Sequence, residues 1–150
     1  MSHSESMTRS SWLRGCAILG AAMLTGATQR VSLQEERNYV MWQDGTEPPY
    51  SSALNDEWRR GTYRCANCDL ALFSSKTKYD AHEGWPSFYA ALPDALATHA
   101  DYELGYERTE VHCRRCRGHL GHLFDDGPPP TGKRYCIDGV ALRFVPGNAA

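Results

Sequence analysis

Gly61-Thr62-Tyr63-Arg64-Cys65-Ala66-Asn67-Cys68-Asp69-Leu70-Ala71-Leu72-Phe73 reads as two short strands joined by a cysteine knuckle, and the chain repeats the device once. In the second copy Tyr106–His112 and Gly118–Leu123 flank Cys113-Arg114-Arg115-Cys116. A Cys-x-x-Cys turn presents two thiolates to one ion, and two such turns complete a tetrahedron. Four protein ligands leave no open position, so the expectation is one structural Zn2+ per chain, held by Cys65, Cys68, Cys113 and Cys116. Arg64, Arg114, Arg115 and Arg117 lie beside these cysteines and would offset the charge of a tetrathiolate. The alternative is one or two disulfides, which an oxidising compartment would permit.

Working outward, the rest of the chain suits a mainly β, single domain of short antiparallel strands in two packed sheets. The chain has 150 residues, with thirteen glycines, eight prolines, four Trp and eight Tyr, and it offers few long helical patterns. Arg134–Ile137 and Val140–Phe144 read as a hairpin about Asp138-Gly139, a strong two-residue turn signal. A short helical turn is expected within 31–38, another within 51–60 where Leu54 and Trp58 stand at helical spacing, and a third at Phe88–Leu92 after Trp85-Pro86. Net charge is only −2, so no basic footprint for nucleic acid is present.

Residues 1–30 differ in character from the rest of the chain. Arg9 and Arg14 precede an uncharged run, Cys16-Ala17-Ile18-Leu19-Gly20-Ala21-Ala22-Met23-Leu24-Thr25-Gly26-Ala27, the pattern of a signal peptide with a small-residue cleavage site. The run is too short for an ordinary membrane span. Export to a periplasm or beyond is the favoured reading. The rivals are a mitochondrial presequence and a cytoplasmic protein that keeps its leader. The folded domain is placed at 31–147.

Of six cysteines, four form the two pairs and Cys16 lies in the leader. Cys136 is left as a lone thiol in Arg134-Tyr135-Cys136-Ile137-Asp138, two residues after a cation and downstream of His119 and His122. It is either a nucleophile or a small buried hydrophobe.

Several blocks, in order, resemble the B-type methionine sulfoxide reductases. They are Gly45-Thr46-Glu47-Pro48-Pro49, Gly84-Trp85-Pro86-Ser87-Phe88, Arg108-Thr109-Glu110-Val111, His119-Leu120-Gly121-His122-Leu123-Phe124-Asp125-Asp126-Gly127-Pro128 and Arg134-Tyr135-Cys136-Ile137. The two cysteine pairs match the zinc-binding members. The resemblance runs from about Tyr39 to Phe144 and implies an Mss4-like fold. It implies reduction of methionine (R)-S-oxide in oxidised proteins, with Cys136 as nucleophile and His119 and His122 as proton donors. Trp85, Phe124 and Arg134 would bind substrate, and thioredoxin or a small thiol would serve as reductant. A monomer without a stable membrane span is expected. The rival is a four-cysteine zinc module that binds a partner without chemistry.

Two departures stand out. Asp138 occupies the position where members commonly carry asparagine. A carboxylate there raises the Cys136 pKa if ionised, or pairs with a histidine and raises that one. It is therefore counted among the catalytic candidates. Glu83 stands where many members have a resolving cysteine, so a sulfenic acid on Cys136 would be reduced directly, unless a retained leader brings Cys16 to it.

Overall fold

The computed structural model describes residues 32–148, so the leader and Cys16 lie outside the described residues. Helix α1 (Leu33–Trp42) is longer than the short turn expected within 31–38. A capping box starts it: the Ser32 hydroxyl accepts from the Glu35 amide while the Glu35 carboxylate accepts from the Ser32 amide. Val40 and Met41 are the residues it buries. The turn within 51–60 is a single 3-10 turn, Ala53–Asp56, capped by Ser52. Leu54 packs against the core, but Trp58 stays exposed with the Lys78 ammonium 3.4 Å over its ring.

Among the described residues nine strands follow: β1 (Gly61–Cys65), β2 (Ala71–Ser74), β3 (Lys78–Tyr79), β4 (Ser87–Phe88), β5 (Leu96–Asp101), β6 (Arg108–Cys113), β7 (His119–Phe124), β8 (Arg134–Ile137) and β9 (Leu142–Pro146). They form two sheets, ordered β2-β1-β9 and β3-β4-β8-β7-β6-β5, with every pairing antiparallel. Mainly β architecture in two antiparallel sheets is thus what the sequence predicts. Aromatic rings join the sheets: Phe88 stacks on Phe73 at 4.3 Å between centroids and meets Tyr63 edge-on at 4.9 Å. Around them Leu72, Val111, Leu120 and Ile137 are fully buried.

Two expectations fail, each for a local reason. The first is the hairpin about Asp138-Gly139. Both edges of β8 are already occupied, since Cys136 lies between Ser87 of β4 and His122 of β7, so β9 has no edge to join. The chain instead leaves the six-stranded sheet through a 3-10 turn, Gly139–Ala141, and β9 pairs with β1. Asp138 keeps an extended backbone and not the left-handed one that a tight hairpin turn needs. Its neighbours' amides are taken by Glu47, whose carboxylate accepts from Gly139 at 2.6 Å and Val140 at 2.8 Å.

The second is the helical turn at Phe88–Leu92. Ser87–Phe88 is strand, and beyond it the Tyr89 amide donates to Thr77 and the Leu92 amide to Leu72. Burial of the Phe88 ring between the sheets holds that segment extended.

Glu47 is buried. Burial raises its carboxyl pKa to about 7, against the two amides that favour the anion. A folded-state pKa above the unfolded 4.5 gives a stabilising contribution that is complete below about pH 4.5 and lost as pH rises through about 7. Glu47→Gln loses one charged acceptor but also loses that titration. Urea unfolding of the two proteins should therefore show a stability gap that narrows from pH 4.5 to pH 7. A gap independent of pH would mean that the carboxyl titrates as an exposed one.

Candidate active site

Side chains alternate across a strand, so the register of the six-stranded sheet decides which residues share a face. Val111, Leu123 and Ile137 belong to the inward set, while Ser87, Cys136, His122 and Glu110 are cross-strand neighbours in one row. Two histidines three residues apart on a regular strand would point to opposite sides. Here the pairing of β6 with β7 slips: Val111 opposes Gly121 but His112 opposes His119, leaving Leu120 as an extra residue. His119 and His122 thereby reach the same face, with ring centroids 5.4 Å apart. Gly121 makes the close approach possible. Its φ is +145°, and a Cβ there would collide with the Cys136 carbonyl oxygen.

Cys136 is half-buried at one wall of a cavity of about 130 Å³. Trp85, Phe124, His122, Arg108, Asp138 and Thr46 line it with the thiol. The Trp85 indole donates to the Glu47 carbonyl at 3.1 Å, and the Ile137 amide to Pro86 at 3.0 Å, so the Trp-Pro segment is tied to β8. Arg134 and His119 lie outside that lining. The Arg134 guanidinium forks onto Asp126 with two bonds of 2.8 Å and sits 4.3 Å over the Phe124 ring, backing that wall. His119 is buried, its Nδ1 2.6 Å from Glu110 and its Nε2 3.7 Å from Asp138.

The charges sort the two histidines. Burial alone would lower the His119 pKa, but Asp138 and Glu110 outweigh it and hold it above the ordinary range. For His122 burial wins: its pKa is lowered despite a 2.8 Å bond to Asp101, with the Arg108 charge adding to the effect. Asp101 itself is held at about 2, first by the Glu103 amide, then by His122 and Arg108 against burial. A donated bond from Nε2 of neutral His122 to Asp101 leaves Nδ1 as the free acceptor. The Cys136 thiol is pushed up to about 11 by burial. Arg134 opposes this, as the sequence suggests it should, while Asp138 and Glu83 add to it. Resting Cys136 is therefore a thiol. Both roles foreseen for Asp138 are present together, raising the thiol and facing a histidine.

Glu47, Asp101 and Glu110 organise this site; Glu47 and Glu110 stand in the family-like blocks but carry no role that the sequence assigns, and Asp101 lies outside them. Glu110 and Arg108 stand in one block, and period-2 alternation alone puts them on one face. Asp101 belongs to β5, which no sequence pattern announces.

The two cysteine knuckles are near copies. The Cys65 carbonyl accepts from the Asp69 amide and the Cys113 carbonyl from the Arg117 amide, both at 2.9 Å, and Asp69 and Arg117 share a left-handed backbone, φ 63° and 69°. All four sulfurs lie within 4.8 Å of one another, with Cys65–Cys116 at 3.6 Å and Cys68–Cys113 at 3.5 Å. That is too long for disulfides, and these cysteines are free. Zinc–sulfur bonds of ~2.3 Å in a tetrahedron require sulfurs ~3.8 Å apart, so four cysteines at this spacing fit a metal ion.

The SelR domain family matches residues 33–146. A peptide methionine sulfoxide reductase MsrB of Pseudomonas putida (strain W619) is 51% identical over 122 residues, 81% of this chain and 92% of the relative. The protein of the same name from Pasteurella multocida (strain Pm70) is 46% identical over 117 residues, 77% and 90% of the two chains. A crystal structure of the Mis18 'Yippee-like' domain aligns at TM-score 0.49 and 16% identity, covering 60% of this chain and 100% of that one.

Gly121→Ala tests the approach of β7 to β8. Strain at a positive φ plus the collision with Cys136 should lower stability by about 2 kcal/mol or more. An unchanged urea midpoint would mean that the two strands do not meet so closely.

Proposed function

The chain belongs to the SelR domain family, the B-type methionine sulfoxide reductases, and from that membership we propose how its cavity works. The activity is reduction of methionine sulfoxide in peptides. The observation that carries the proposal is a half-buried thiol beside a histidine in a small aromatic-walled cavity.

A chiral sulfur in a shaped cavity presents its oxygen on one side only, so one epimer of a protein-bound methionine sulfoxide is the substrate, and the resemblance to the B-type reductases implies that it is R. Trp85 and Phe124 receive the ε-methyl. Neutral His122 takes the Cys136 proton, giving thiolate and imidazolium at the moment of reaction. The thiolate sulfur attacks the sulfoxide sulfur while the imidazolium protonates the oxygen. As the transient sulfur–sulfur bond breaks, its electron pair returns to the methionine sulfur and the hydroxyl ends on Cys136 as sulfenic acid. One sulfur is reduced by two electrons and the other oxidised by two. His119, whose pKa Asp138 and Glu110 raise, lies behind the cavity, and in its protonated form it would favour negative charge on the thiolate and on the reacting oxygen.

Regeneration falls to thioredoxin or a small thiol. Two thiols reduce the sulfenic acid to thiol, releasing water and a disulfide. This reading is supported by Glu83 at the resolving position and by the absence of any other free thiol among the described residues outside the four-cysteine cluster. Cys65, Cys68, Cys113 and Cys116 would hold one Zn2+, which ties the two knuckles together and takes no part in the reaction. Export through the 1–30 leader, a monomeric state and the domain limits 31–147 complete the proposal, all resting on sequence. No helix among the described residues is long and apolar enough to cross a membrane.

A single turnover on separated R and S epimers of an N-capped methionine sulfoxide, without reductant, tests the chemistry. Wild type should convert one equivalent of the R epimer and gain one oxygen on Cys136 by mass spectrometry. Cys136→Ser should convert none while keeping its zinc. Turnover by Cys136→Ser, or a disulfide in place of the sulfenic acid, would overturn the scheme.

The pH profile tests Asp138. Its charge raises both the Cys136 thiol and the His119 imidazolium. Asp138→Asn removes both effects and leaves the groups acting on His122 in place, so the alkaline limb of the kcat/KM profile should move to lower pH while the acid limb stays. A profile that stays in place would exclude this role.

A further inference from the structure

Beyond the thiol cavity, the same sheet face opens into a second cleft of about 360 Å³, lined in part by Asp44, His99, Glu110 and His119. At its edge three side chains from neighbouring strands converge. His99 on β5 opposes Glu110 on β6, and His112 stands two residues further along β6 on the same face. We propose that His99, His112 and Glu110 form a binding site for a first-row divalent metal ion of borderline softness, such as Zn2+, Ni2+ or Co2+, separate from the four-cysteine cluster.

Geometry carries the assignment. One donor atom from each residue falls within 4.8 Å of the other two. His99 Nδ1 and His112 Nε2 face each other at 2.5 Å, and His112 Nε2 lies 3.6 Å from Glu110 Oε1. An ion with nitrogen bonds of ~2.0–2.1 Å needs its donors ~3.3 Å apart, so the two rings must part by under ~1 Å. His99 is half-exposed and free to make that adjustment, whereas Glu110 and His112 are buried and held in place. The His99 Nε2 lies 2.6 Å from Glu110 Oε2, so ring and carboxylate already meet, and binding an ion through Nδ1 and Glu110 requires that contact to open. Two imidazoles and one carboxylate, without sulfur, suit borderline divalent ions and not the soft ions that thiolates select. Water reaches the half-exposed side and would fill the remaining positions.

Glu110 connects this site to the first. Its Oε1 also holds His119 Nδ1 at 2.6 Å, so an ion here draws on the same carboxylate that bonds the histidine behind the thiol cavity.

The test is a Co2+ titration of the full chain under reducing conditions, with its four-cysteine site loaded with zinc. Wild type should take up one further saturable equivalent, with weak visible d–d bands and no intense sulfur-to-cobalt charge transfer. His99→Ala and His99→Gln change a half-exposed side chain. Each should weaken that uptake at least about tenfold without altering zinc content. No saturable second equivalent, cobalt that appears only with charge-transfer bands, or His99 variants that bind as tightly as wild type would each overturn the proposal.

Discussion

A strand paired on both edges is the constraint from which the site follows. Because β8 is hydrogen-bonded to β4 on one side and β7 on the other, Cys136 cannot swing, and its neighbours on either strand are set by register. The same saturation expels the chain from the sheet at Asp138 and sends β9 to the other layer. Glu47 then gathers the loose ends. Its carbonyl takes the Trp85 indole, its amide donates to Asp138 at 2.8 Å, and its carboxylate holds the two amides after Asp138. One residue from the N-terminal block therefore fixes both the aromatic wall and the turn behind the thiol.

The polar face of the sheet works by contrast. Two histidines of equal intrinsic basicity stand 5.4 Å apart, and their surroundings push them in opposite directions. His119 faces two carboxylates, which raise its pKa against burial. His122 has only Asp101, whose charge is already shared with Arg108 at 2.6 Å. Separating two like groups in this way is how a protein assigns acid and base roles near neutrality. Asparagine at 138 would leave His119 with Glu110 alone. The aspartate makes this chain's buried imidazole more basic, and its thiol less acidic, than the family pattern implies.

Much of this is legible in the sequence. The two knuckles announce themselves through matching spacing, and the strands on either side of them lie within a residue or two of their expected positions. Cys136, His122, Trp85 and Phe124 stand in recognisable blocks and do line one cavity. What escapes depends on information that a local pattern does not carry. Asp138-Gly139 is a turn signal, but whether a turn closes a hairpin depends on whether the preceding strand has a free edge. Strand β5 alternates poorly, with Thr98, His99 and Ala100 all exposed, and it is held by pairing with β6. For the Cys136 pKa the sequence offers only the charged neighbours Arg134 and Asp138, which oppose each other, whereas burial dominates. A bulge of one residue, invisible in His119-Leu120-Gly121-His122, decides that both rings share a face.

The contrast between the two metal-binding geometries argues that they would not compete. The sulfur set is closed: four thiolates fill a tetrahedron and exclude water, so its role ends at joining two loops. The imidazole–carboxylate set is open on one side, takes its members from adjacent strands and shares a carboxylate with the proton machinery. Softness separates them first, since thiolates retain zinc against oxygen and nitrogen donors. Connection separates them second. The knuckle cysteines lie at the ends of strands, where an ion can only brace the fold. His99 and Glu110 lie within the row that leads through His122 to Cys136, where an ion would change the charge on the face that carries the thiol.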